Sequence, residues 1–425
     1  MSVAHHLIIA MYNIIMYLIQ AGVAIAALFN DKAKKLRRGE RDAMGVLAQA
    51  IDPEERHVWF HAASLGEFEQ GRPIMERLRQ EHPALKILLT FFSPSGYEVR
   101  KSWQGADIIC YLPIDTPTNA RRFVAKVNPV AAFFIKYEFW YNYLHELQAR
   151  GVPTYSVSSI FRPKQVFFRW YGKHYGRVLG CFTRFFVQNE QSRCLLASIG
   201  YDNAVVTGDT RFDRVLQIRR QAKELPVVET FTGGARHNVF VAGSSWPPDE
   251  DIFINYFAAH PDRKLIIAPH VIGEDHLKQI ETKLHGRKVV RYTQAADNGV
   301  TQHDVAGAEV LIIDCFGLLS AIYGYGDIAY VGGGFGVGIH NVLEAAVWGM
   351  PVVFGPNNGN FMEAQGLLQA GGGFEIGSAD DFARLMDRLG GDGQLLAAAG
   401  RSAGEYVRSR AGATDIVMEQ ACRSL

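Results

Sequence analysis

Residues 57–92 read HVWFHAASLGEFEQGRPIMERLRQEHPALKILLTFF, which is a short apolar run, a helical pattern and a second apolar run. The first run is HVWFH (57–61), the second is KILLTFF (86–92), and the helical pattern extends from Phe68 to Glu81. Continuous apolar strands that alternate with helices are typical of parallel sheets covered on both faces. The stretch therefore predicts the β–α–β unit of an α/β fold.

The same alternation continues along the chain in two series. Further apolar runs of the first series are 130–135, 154–159 and 184–188, and those of the second are 239–244, 264–269, 288–292, 310–314, 328–333 and 351–355. Two such series predict two Rossmann-like, doubly wound domains, which we place at 31–220 and 221–425. Ligands bind at the carboxyl ends of parallel strands, so the cleft between the domains is the expected site.

Composition limits the class of protein. The chain has 425 residues, of which 48% are apolar, and this is ample for two cores. A formal net charge of +1 argues against a general nucleic-acid binder. The five cysteines form no C-x-x-C pair, which disfavours a disulfide framework or a structural zinc site and fits a reducing compartment.

The N-terminal segment is unusually apolar. Residues 7–29 contain no charged side chain, and a membrane-spanning helix needs roughly 20 such residues. Six lysines and arginines follow within 32–41, so the positive-inside rule places the rest of the chain in the cytoplasm. We predict a membrane anchor at 1–30. The alternative is an amphipathic or buried helix that lies on the membrane or on the protein.

A glycine cluster follows the predicted strand at 328–331. It comprises Gly332, Gly333, Gly334, Gly336 and Gly338. Glycines let a backbone approach a phosphate closely, and the start of the next helix favours an anion. The spacing matches neither the dinucleotide fingerprint nor the P-loop, which disfavours an NAD enzyme and ATP hydrolysis. A tight strand-to-helix turn would need only some of these glycines.

Two short segments carry candidate ligand or catalytic groups. A helix is predicted to open at Asn341, and Glu344 either contacts a ligand or completes a capping box. In the first half, Ser64 and Glu67 also fit a capping box, while Glu67 could act as the general base that sugar transfer needs. Glu138 is a second candidate, and its alternative is a solvated residue at a helix start.

Six motifs in order resemble the 3-deoxy-D-manno-oct-2-ulosonic acid (Kdo) transferases. They are A-S-x-G-E (63–67), K-Y-E-F-W (136–140), S-x-x-x-R (158–162), G-D-T-R-F-D (208–213), A-G-S-S-W (242–246) and H-N-V-L-E (340–344). The resemblance, which covers about residues 1 to 420, implies a GT-B glycosyltransferase fold with an N-terminal membrane-anchor helix. It also implies inverting transfer of Kdo from CMP-Kdo to a lipid A precursor, a tetra-acyldisaccharide bisphosphate, at the cytoplasmic face of the inner membrane.

The resemblance also implies roles for individual residues. Glu67 matches the family's catalytic base, and Glu138 and Arg211 match residues that support the transition state. The positions that match CMP-binding segments are Pro269, His270, Phe316, Gly317, Leu318, Asn341, Val342, Leu343 and Glu344. The family often has Arg at the position of His270 and Glu at that of Leu318, so this chain departs from the pattern at both.

The acceptor and metal requirements follow from residue types. Residues 162–173 read RPKQVFFRWYGK, a basic and aromatic mixture that suits an anionic, acylated substrate at a membrane, with Arg162 and Lys164 as the predicted contacts. The alternatives are a single-stranded nucleic-acid site or an amphipathic segment with its aromatics in the core.

The acidic string Asp249-Glu250-Asp251 follows two prolines and predicts the first turn of a helix. A donor with one phosphate does not demand a metal, so we predict that transfer needs neither a metal nor a cofactor. The near-neutral net charge predicts no nucleic-acid partner.

Two other functions fit the same fold. One is an isomerase like the UDP-sugar 2-epimerases, which would need neither the anchor nor residues 162–173. The other is a membrane tether that binds a nucleotide sugar without catalysis.

Overall fold

A computed structural model describes residues 3–234, 238–297, 299–336, 338–423 and 425, so the first two residues of the predicted anchor lie outside it. Contacts divide the chain into two compact units. The first comprises Met1–Arg214 and Ala411–Leu425, and the second comprises Val215–Arg410.

The first unit is built on a parallel sheet with the strand order β3-β2-β1-β4-β5-β6-β7, counted over the described residues. Its strands are β1 (His57–His61), β2 (Lys86–Phe91), β3 (Ile108–Tyr111), β4 (Ala131–Ile135), β5 (Thr154–Ser159), β6 (Arg184–Val187) and β7 (Ala204–Val206). Strands β1 and β4 are buried along their whole length because helices cover both faces of the sheet.

The second unit repeats this architecture. Its described strands have the order β10-β11-β9-β8-β12-β13-β14, again all parallel. They are β8 (Val239–Ser245), β9 (Lys264–Pro269), β10 (Val289–Arg291), β11 (Val310–Ile312), β12 (Ile328–Val331), β13 (Val352–Phe354) and β14 (Gly373–Glu375). The predicted α/β class with two doubly wound sheets is confirmed.

Helices connect most of these strands. In chain order they are α1 (Val3–Ala26), α2 (Asp31–Ala50), α3 (Leu65–Glu81), α4 (Pro94–Arg100), α5 (Pro117–Val127), α6 (Tyr141–Ala149), α7 (Glu190–Ala197), α8 (Thr210–Gln221), α9 (Pro226–Thr232), α10 (Pro247–Ala259), α11 (Glu274–Lys283), α12 (Tyr292–Ala296), α13 (Gln302–Gly307), α14 (Leu319–Ile322), α15 (Leu343–Ala346), α16 (Met362–Ala370), α17 (Ala379–Gly391), α18 (Gly393–Arg408) and α19 (Ala413–Val417). Short 3-10 turns occupy Val166–Phe168, Trp170–Gly172, Tyr175–Cys181 and Tyr323–Tyr325, and a π turn occupies Met418–Cys422.

The core of the first unit has one layer on each face of the sheet. Successive side chains of a strand point to opposite faces, so Trp59 packs with Phe123 and Tyr143 in one layer. Its neighbour Phe60 stacks on Phe133 in the other layer, with ring centroids 4.7 Å apart. The sheet therefore holds the carboxyl ends of β1 and β4 in a fixed register.

Three residues at carboxyl ends of strands have left-handed backbone conformations. Lys136 after β4 has φ +67°, and Ser158 in β5 and Ser244 in β8 each have φ +53°. Both serines lie where the strand register shifts. Such conformations cost non-glycine residues of order 1 kcal/mol or more and cluster at functional sites. They mark the same edge of each sheet.

Helix α1 is the one described helix that is long and apolar enough to cross a membrane, over Leu7–Ala26. Part of its first half packs on the first unit through Ile9 and Tyr12, while Leu7 and Leu18 are 62% and 65% exposed. The helix is thus a membrane-anchor candidate that also has a docking face.

Candidate active site

Each sheet has a topological switch point where loops leave in opposite directions. In the first sheet this point lies between β1 and β4, because β2 and β3 continue on one side and β5 to β7 on the other. In the second sheet it lies between β8 and β12. Doubly wound sheets bind ligands beside the carboxyl ends of such strands. Glu67 follows β1, Glu138 follows β4, and the glycine cluster follows β12.

Glu67 lies in the first turn of α3, where the predicted capping box is present. The Ser64 N–H donates to Oε2 of Glu67 at 3.0 Å, and the Glu67 N–H donates to Oγ of Ser64 at 3.4 Å. Burial raises the pKa of Glu67, and the nearby charge of Glu138 raises it further, against the opposing effects of His61, the Ser64 N–H and Lys136. Glu67 is therefore a stronger base than an ordinary glutamate, as proton abstraction requires.

Glu138 is bound by two aromatic side chains. Its Oε2 accepts from Nε1 of Trp140 at 2.6 Å and lies 3.2 Å from Nε2 of His61. The other nitrogen of His61, Nδ1, lies 2.9 Å from Oγ1 of Thr90. His61 is fully buried at the end of β1. Glu138 is thus not a solvated residue at a helix start, because a side-chain network fixes its carboxylate.

Arg211 is positioned by a buried carboxylate. Its Nε and Nη2 contact Oδ2 of Asp209 at 2.9 and 2.8 Å, and Nε2 of Gln70 donates to Oδ1 of Asp209 at 3.0 Å. Burial acts to raise the pKa of Asp209, but Arg211 and Gln70 outweigh it and hold the pKa below its ordinary value. Gln70 follows Glu67 by three residues on α3, so one helix supports both predicted catalytic groups.

The two predicted acceptor residues have different surroundings. Burial raises the pKa of the Tyr137 hydroxyl, and the nearby charge of the Arg162 guanidinium opposes this effect. The charges of Arg211 and Asp209 also act on Tyr137, which places Arg162 in their neighbourhood. Lys164 is exposed on the same segment. Both side chains are exposed, and the structure places Arg162 close to the Glu138 segment.

The aromatic residues of 162–173 divide between core and surface. Phe167 is 6% exposed and belongs to the core, whereas Trp170 and Tyr171 are 90% and 59% exposed. The alternative of an amphipathic segment with its aromatics in the core therefore fits Phe167 but not Trp170 and Tyr171. A groove of about 500 Å³ adjoins them, lined by Phe167, Phe168, Arg169, Trp170, Lys173, Gly176, Arg177, Ser198, Ile199 and Tyr201.

In the second unit, His270 lies between two other rings. Its ring stacks on Trp246 and on His340, with both pairs of centroids 4.5 Å apart. Nε1 of Trp246 also donates to Nε2 of His340 at 3.2 Å. Burial lowers the pKa of His270, and burial together with His270 lowers that of His340. At neutral pH this stack therefore presents uncharged imidazoles.

The glycine cluster is held by Asp249 and by close backbone contacts. Oδ2 of Asp249 accepts from the N–H groups of Gly333 and Trp246, each at 2.9 Å. A Cβ on Gly332 would lie 2.2 Å from the carbonyl oxygen of Ser244, and one on Gly334 would lie 2.5 Å from the nitrogen of Gly355. At least two glycines are therefore required by packing alone.

The acidic string opens a helix, as expected. Asp249 and Glu250 lie in the first turn of α10. The carboxylate of Glu250 is bound by Ser245 at 3.1 Å and His276 at 3.0 Å, and Asp251 pairs with Lys283 at 2.6 Å. Each carboxylate of the string thus has separate protein partners.

The segment Asn341–Glu344 differs from its prediction in one respect. The helix α15 begins at Leu343 rather than Asn341, because Oδ1 of Asn341 turns back to accept from the Leu343 N–H at 3.2 Å. Glu344 accepts from Nδ2 of Asn341 at 3.1 Å and from Oγ of Ser320 at 2.5 Å. Val342 and Leu343 are buried, so only backbone groups of these two could reach a ligand.

The remaining predicted donor residues end two neighbouring strands of the same sheet. Pro269 is the last residue of β9, and Phe316 to Leu318 follow β11. Phe316 is 76% exposed, and Gly317 has φ +93°, a conformation that favours glycine. These residues and His270 therefore share one edge of the second sheet.

Known proteins resemble the chain over most of its length. A family model described as 3-deoxy-D-manno-octulosonic-acid transferase (kdotransferase) matches residues 37–214. A 3-deoxy-D-manno-octulosonic acid transferase of Haemophilus influenzae is 27% identical over 377 residues, covering 85% of this chain and 86% of that protein. One of Aquifex aeolicus is 26% identical over 340 residues, covering 78% and 85%. These matches support a Kdo transferase role for the chain. It is therefore a glycosyltransferase.

Solved structures share the fold of this Kdo transferase. UDP-GlcNAc 2-epimerase from Neisseria meningitidis has a TM-score of 0.59 at 15% identity, covering 85% of this chain and 98% of that one. MurG of Acinetobacter baumannii has a TM-score of 0.52 at 12% identity, covering 86% and 100%. These likenesses confirm the GT-B-like pair of sheets for the Kdo transferase.

Sequence reasoning missed several supporting residues of this Kdo transferase. His61, Thr90, Asp209 and Gln70 position the predicted catalytic groups, yet none was singled out. One signal was available, because His61 and Thr90 are polar residues near the carboxyl ends of mainly apolar strands. A buried polar side chain needs a partner, and here the partners lead to Glu138.

Proposed function

We propose that this Kdo transferase moves Kdo from CMP-Kdo to a lipid A precursor, a tetra-acyldisaccharide bisphosphate, with inversion at the anomeric carbon. The observation that carries the proposal is that Glu67 and Glu138 lie close enough to interact beside the switch point of the first sheet. Asp209 and Gln70 join Arg211 to the helix that carries Glu67. The names of the relatives support the sugar that is transferred.

The proposed mechanism is a direct displacement. Glu67 takes the proton of an acceptor hydroxyl as its oxygen bonds to the anomeric carbon of Kdo. The bond from that carbon to the phosphate oxygen breaks, and CMP leaves with the electron pair. Attack opposite to the leaving group inverts the carbon. Glu138, held by His61 and Trp140, stabilises positive charge that develops on the sugar, and Arg211 stabilises negative charge.

Donor binding is assigned to the second unit. The phosphate is assigned to the loop of the glycine cluster and to the N–H groups of Asn341 and Val342, and Glu344 offers a carboxylate to the ribose. Pro269, His270, Phe316, Gly317 and Leu318 complete the assigned set. One phosphate can be neutralised by fixed donors, so transfer is proposed to need no metal and no cofactor.

Acceptor binding is assigned to Arg162 and Lys164 at a membrane surface. The exposed Trp170 and Tyr171 support this, because indole and phenol side chains favour the headgroup region of a bilayer. Helix α1 would anchor the protein in the inner membrane, with both units on the cytoplasmic side.

The experiment that tests the proposal is CMP release from CMP-Kdo by the purified full-length protein. We expect release that depends on a tetra-acylated lipid A precursor and that persists with a chelator. Release at the same rate without acceptor would contradict the transfer, and loss of activity on chelation with recovery on one divalent ion would contradict metal independence.

Two further tests separate the alternatives. The likeness to epimerases is one of fold, and an isomerase would convert its nucleotide sugar without any lipid. Glu67→Gln separates catalysis from a tether, because Gln preserves the capping box but cannot accept the proton. Retained folding with lost transfer supports catalysis, whereas full activity would leave Glu67 only its structural role.

A further inference from the structure

A tyrosine of the anchor helix makes a hydrogen bond into the interior of the first unit. The hydroxyl of Tyr12 donates to Oδ2 of Asp115 at 2.7 Å, and Asp115 is completely buried. The same carboxylate accepts from the N–H groups of Asn142 at 2.9 Å and Tyr143 at 3.0 Å, the first turn of α6. Asp115 therefore joins α1 to the start of α6.

The anchor also contacts the first residues of α6 and the segment that precedes them. The Tyr141 N–H donates to the Tyr12 hydroxyl at 3.3 Å, and Nδ2 of Asn142 donates to Oδ1 of Asn13 at 3.0 Å. The Tyr12 ring stacks on Tyr175, with centroids 6.0 Å apart. The hydroxyl of Tyr175 in turn donates to the carbonyl oxygen of Phe139 at 3.2 Å. Contacts from Tyr12 thus reach both Phe139 and Tyr141.

The residue between those two positions binds Glu138. Trp140 donates from Nε1 to Oε2 of Glu138 at 2.6 Å, and Glu138 precedes Phe139 directly. Lys136, at the other end of this segment, has a left-handed backbone with φ +67°. Such a conformation persists where surrounding contacts over-determine it. The segment 136–141 is therefore fixed by β4 on one side and by the Tyr12 contacts on the other.

We propose that Tyr12 is a positioning residue for sugar transfer, so that seating of the anchor helix sets the geometry of Glu138. The inference rests on the proposed function, since it acts through the role given to Glu138. It assigns the anchor a second task besides holding the protein at a membrane. Removing the hydroxyl leaves a buried carboxylate with one donor fewer and loosens the segment that follows.

The test uses the full-length protein with Tyr12→Phe, and Tyr17→Phe as the matched control. Tyr17 lies on the same helix, is 48% exposed and undergoes the same chemical change. We expect Tyr12→Phe to lower kcat roughly 10-fold, the effect of losing one buried hydrogen bond, with the KM for CMP-Kdo unchanged. Tyr17→Phe should match the unsubstituted protein in kcat, and all three should show the same association with vesicles.

A double-substitution cycle shows whether Tyr12 acts through Glu138. Glu138→Asp keeps the charge and moves it away from Trp140 and His61, so kcat falls but remains measurable. In that background we expect Tyr12→Phe to change kcat less than about 2-fold, because coupled residues are not additive. An equal fold-loss in both backgrounds, or a kcat for Tyr12→Phe equal to that of Tyr17→Phe, would overturn the inference. Full activity of Glu138→Asp alone would instead count against the proposed role of Glu138, and the inference would fall with it.

Discussion

The buried imidazole of His61 lies 3.2 Å from the carboxylate of Glu138, joining the ends of two neighbouring strands. Nε1 of Trp140 donates to the same carboxylate oxygen at 2.6 Å, so the contact with Trp140 is the shorter of the two. Nδ1 of His61 is engaged by Thr90, which fixes the orientation of the ring. Second partners of this kind set the position and the charge of a catalytic group.

His61→Gln should lower kcat by roughly 10- to 100-fold, because a hydrogen bond to a charged group is lost. The matched control is His57→Gln, at the other end of β1, where the ring is equally buried and bonds the carbonyl oxygen of Glu55 at 3.0 Å. Steady-state kinetics and thermal unfolding of both variants check this. Equal losses of kcat in the two variants would mean that His61 has only a structural role.

Activity should fall on the acidic side with a midpoint above the ordinary glutamate value of 4.5. Burial and the charge of Glu138 raise the pKa of Glu67, so the ionised base is lost at a higher pH than for an exposed glutamate. Glu138→Gln removes one of these causes and should move the midpoint of kcat/KM to lower pH. A pH profile that stays in place or moves upward would contradict this electrostatic account.

His270→Arg should lower the KM for CMP-Kdo several-fold. A guanidinium remains charged at neutral pH, can stack between Trp246 and His340, and offers donors to a phosphate. The control is His285→Arg, an exposed position of the same unit with the same change of charge. If both variants lower the KM equally, the effect is one of net charge and His270 does not face the donor.

Arg162→Ala should raise the acceptor KM about 5- to 10-fold and leave the donor KM unchanged, as expected for a charged contact to a phosphate. Lys164→Ala should have a smaller effect, because Arg162 lies beside Tyr137, in the neighbourhood of Arg211 and Asp209. Arg122→Ala, on the exposed face of α5, serves as the control. A raised donor KM with an unchanged acceptor KM would refute the assignment.

The interior strands of both sheets could be predicted from the sequence, whereas most of the edge strands could not. Strands β1 and β5 have the predicted bounds, and both are interior strands that are buried along their whole length. Strands β3, β7 and β14 were not predicted, and all three lie at sheet edges. An edge strand pairs on one side only, so three or four residues suffice and the apolar signal is short.

The candidate site shows a similar division. The motif resemblance identifies Glu67, Glu138 and Arg211 but does not show how they are joined. In the structure, His61 at the end of β1 contacts Glu138, and Gln70 of α3 contacts Asp209, which binds Arg211. The start of α15 was misplaced, because a side chain of Asn341 competes locally with the helix. The contacts of Tyr12 join residues more than 100 positions apart, and no spacing rule reveals them.

The most direct test of the account is the mass of the lipid product. The purified protein is incubated with CMP-Kdo and a tetra-acylated lipid A precursor, in parallel with Glu67→Gln. We expect the unsubstituted protein to yield a lipid heavier by Kdo together with free CMP, and a folded Glu67→Gln to yield neither. An unchanged lipid with the unsubstituted protein, or the same heavier lipid with Glu67→Gln, would contradict the central claim.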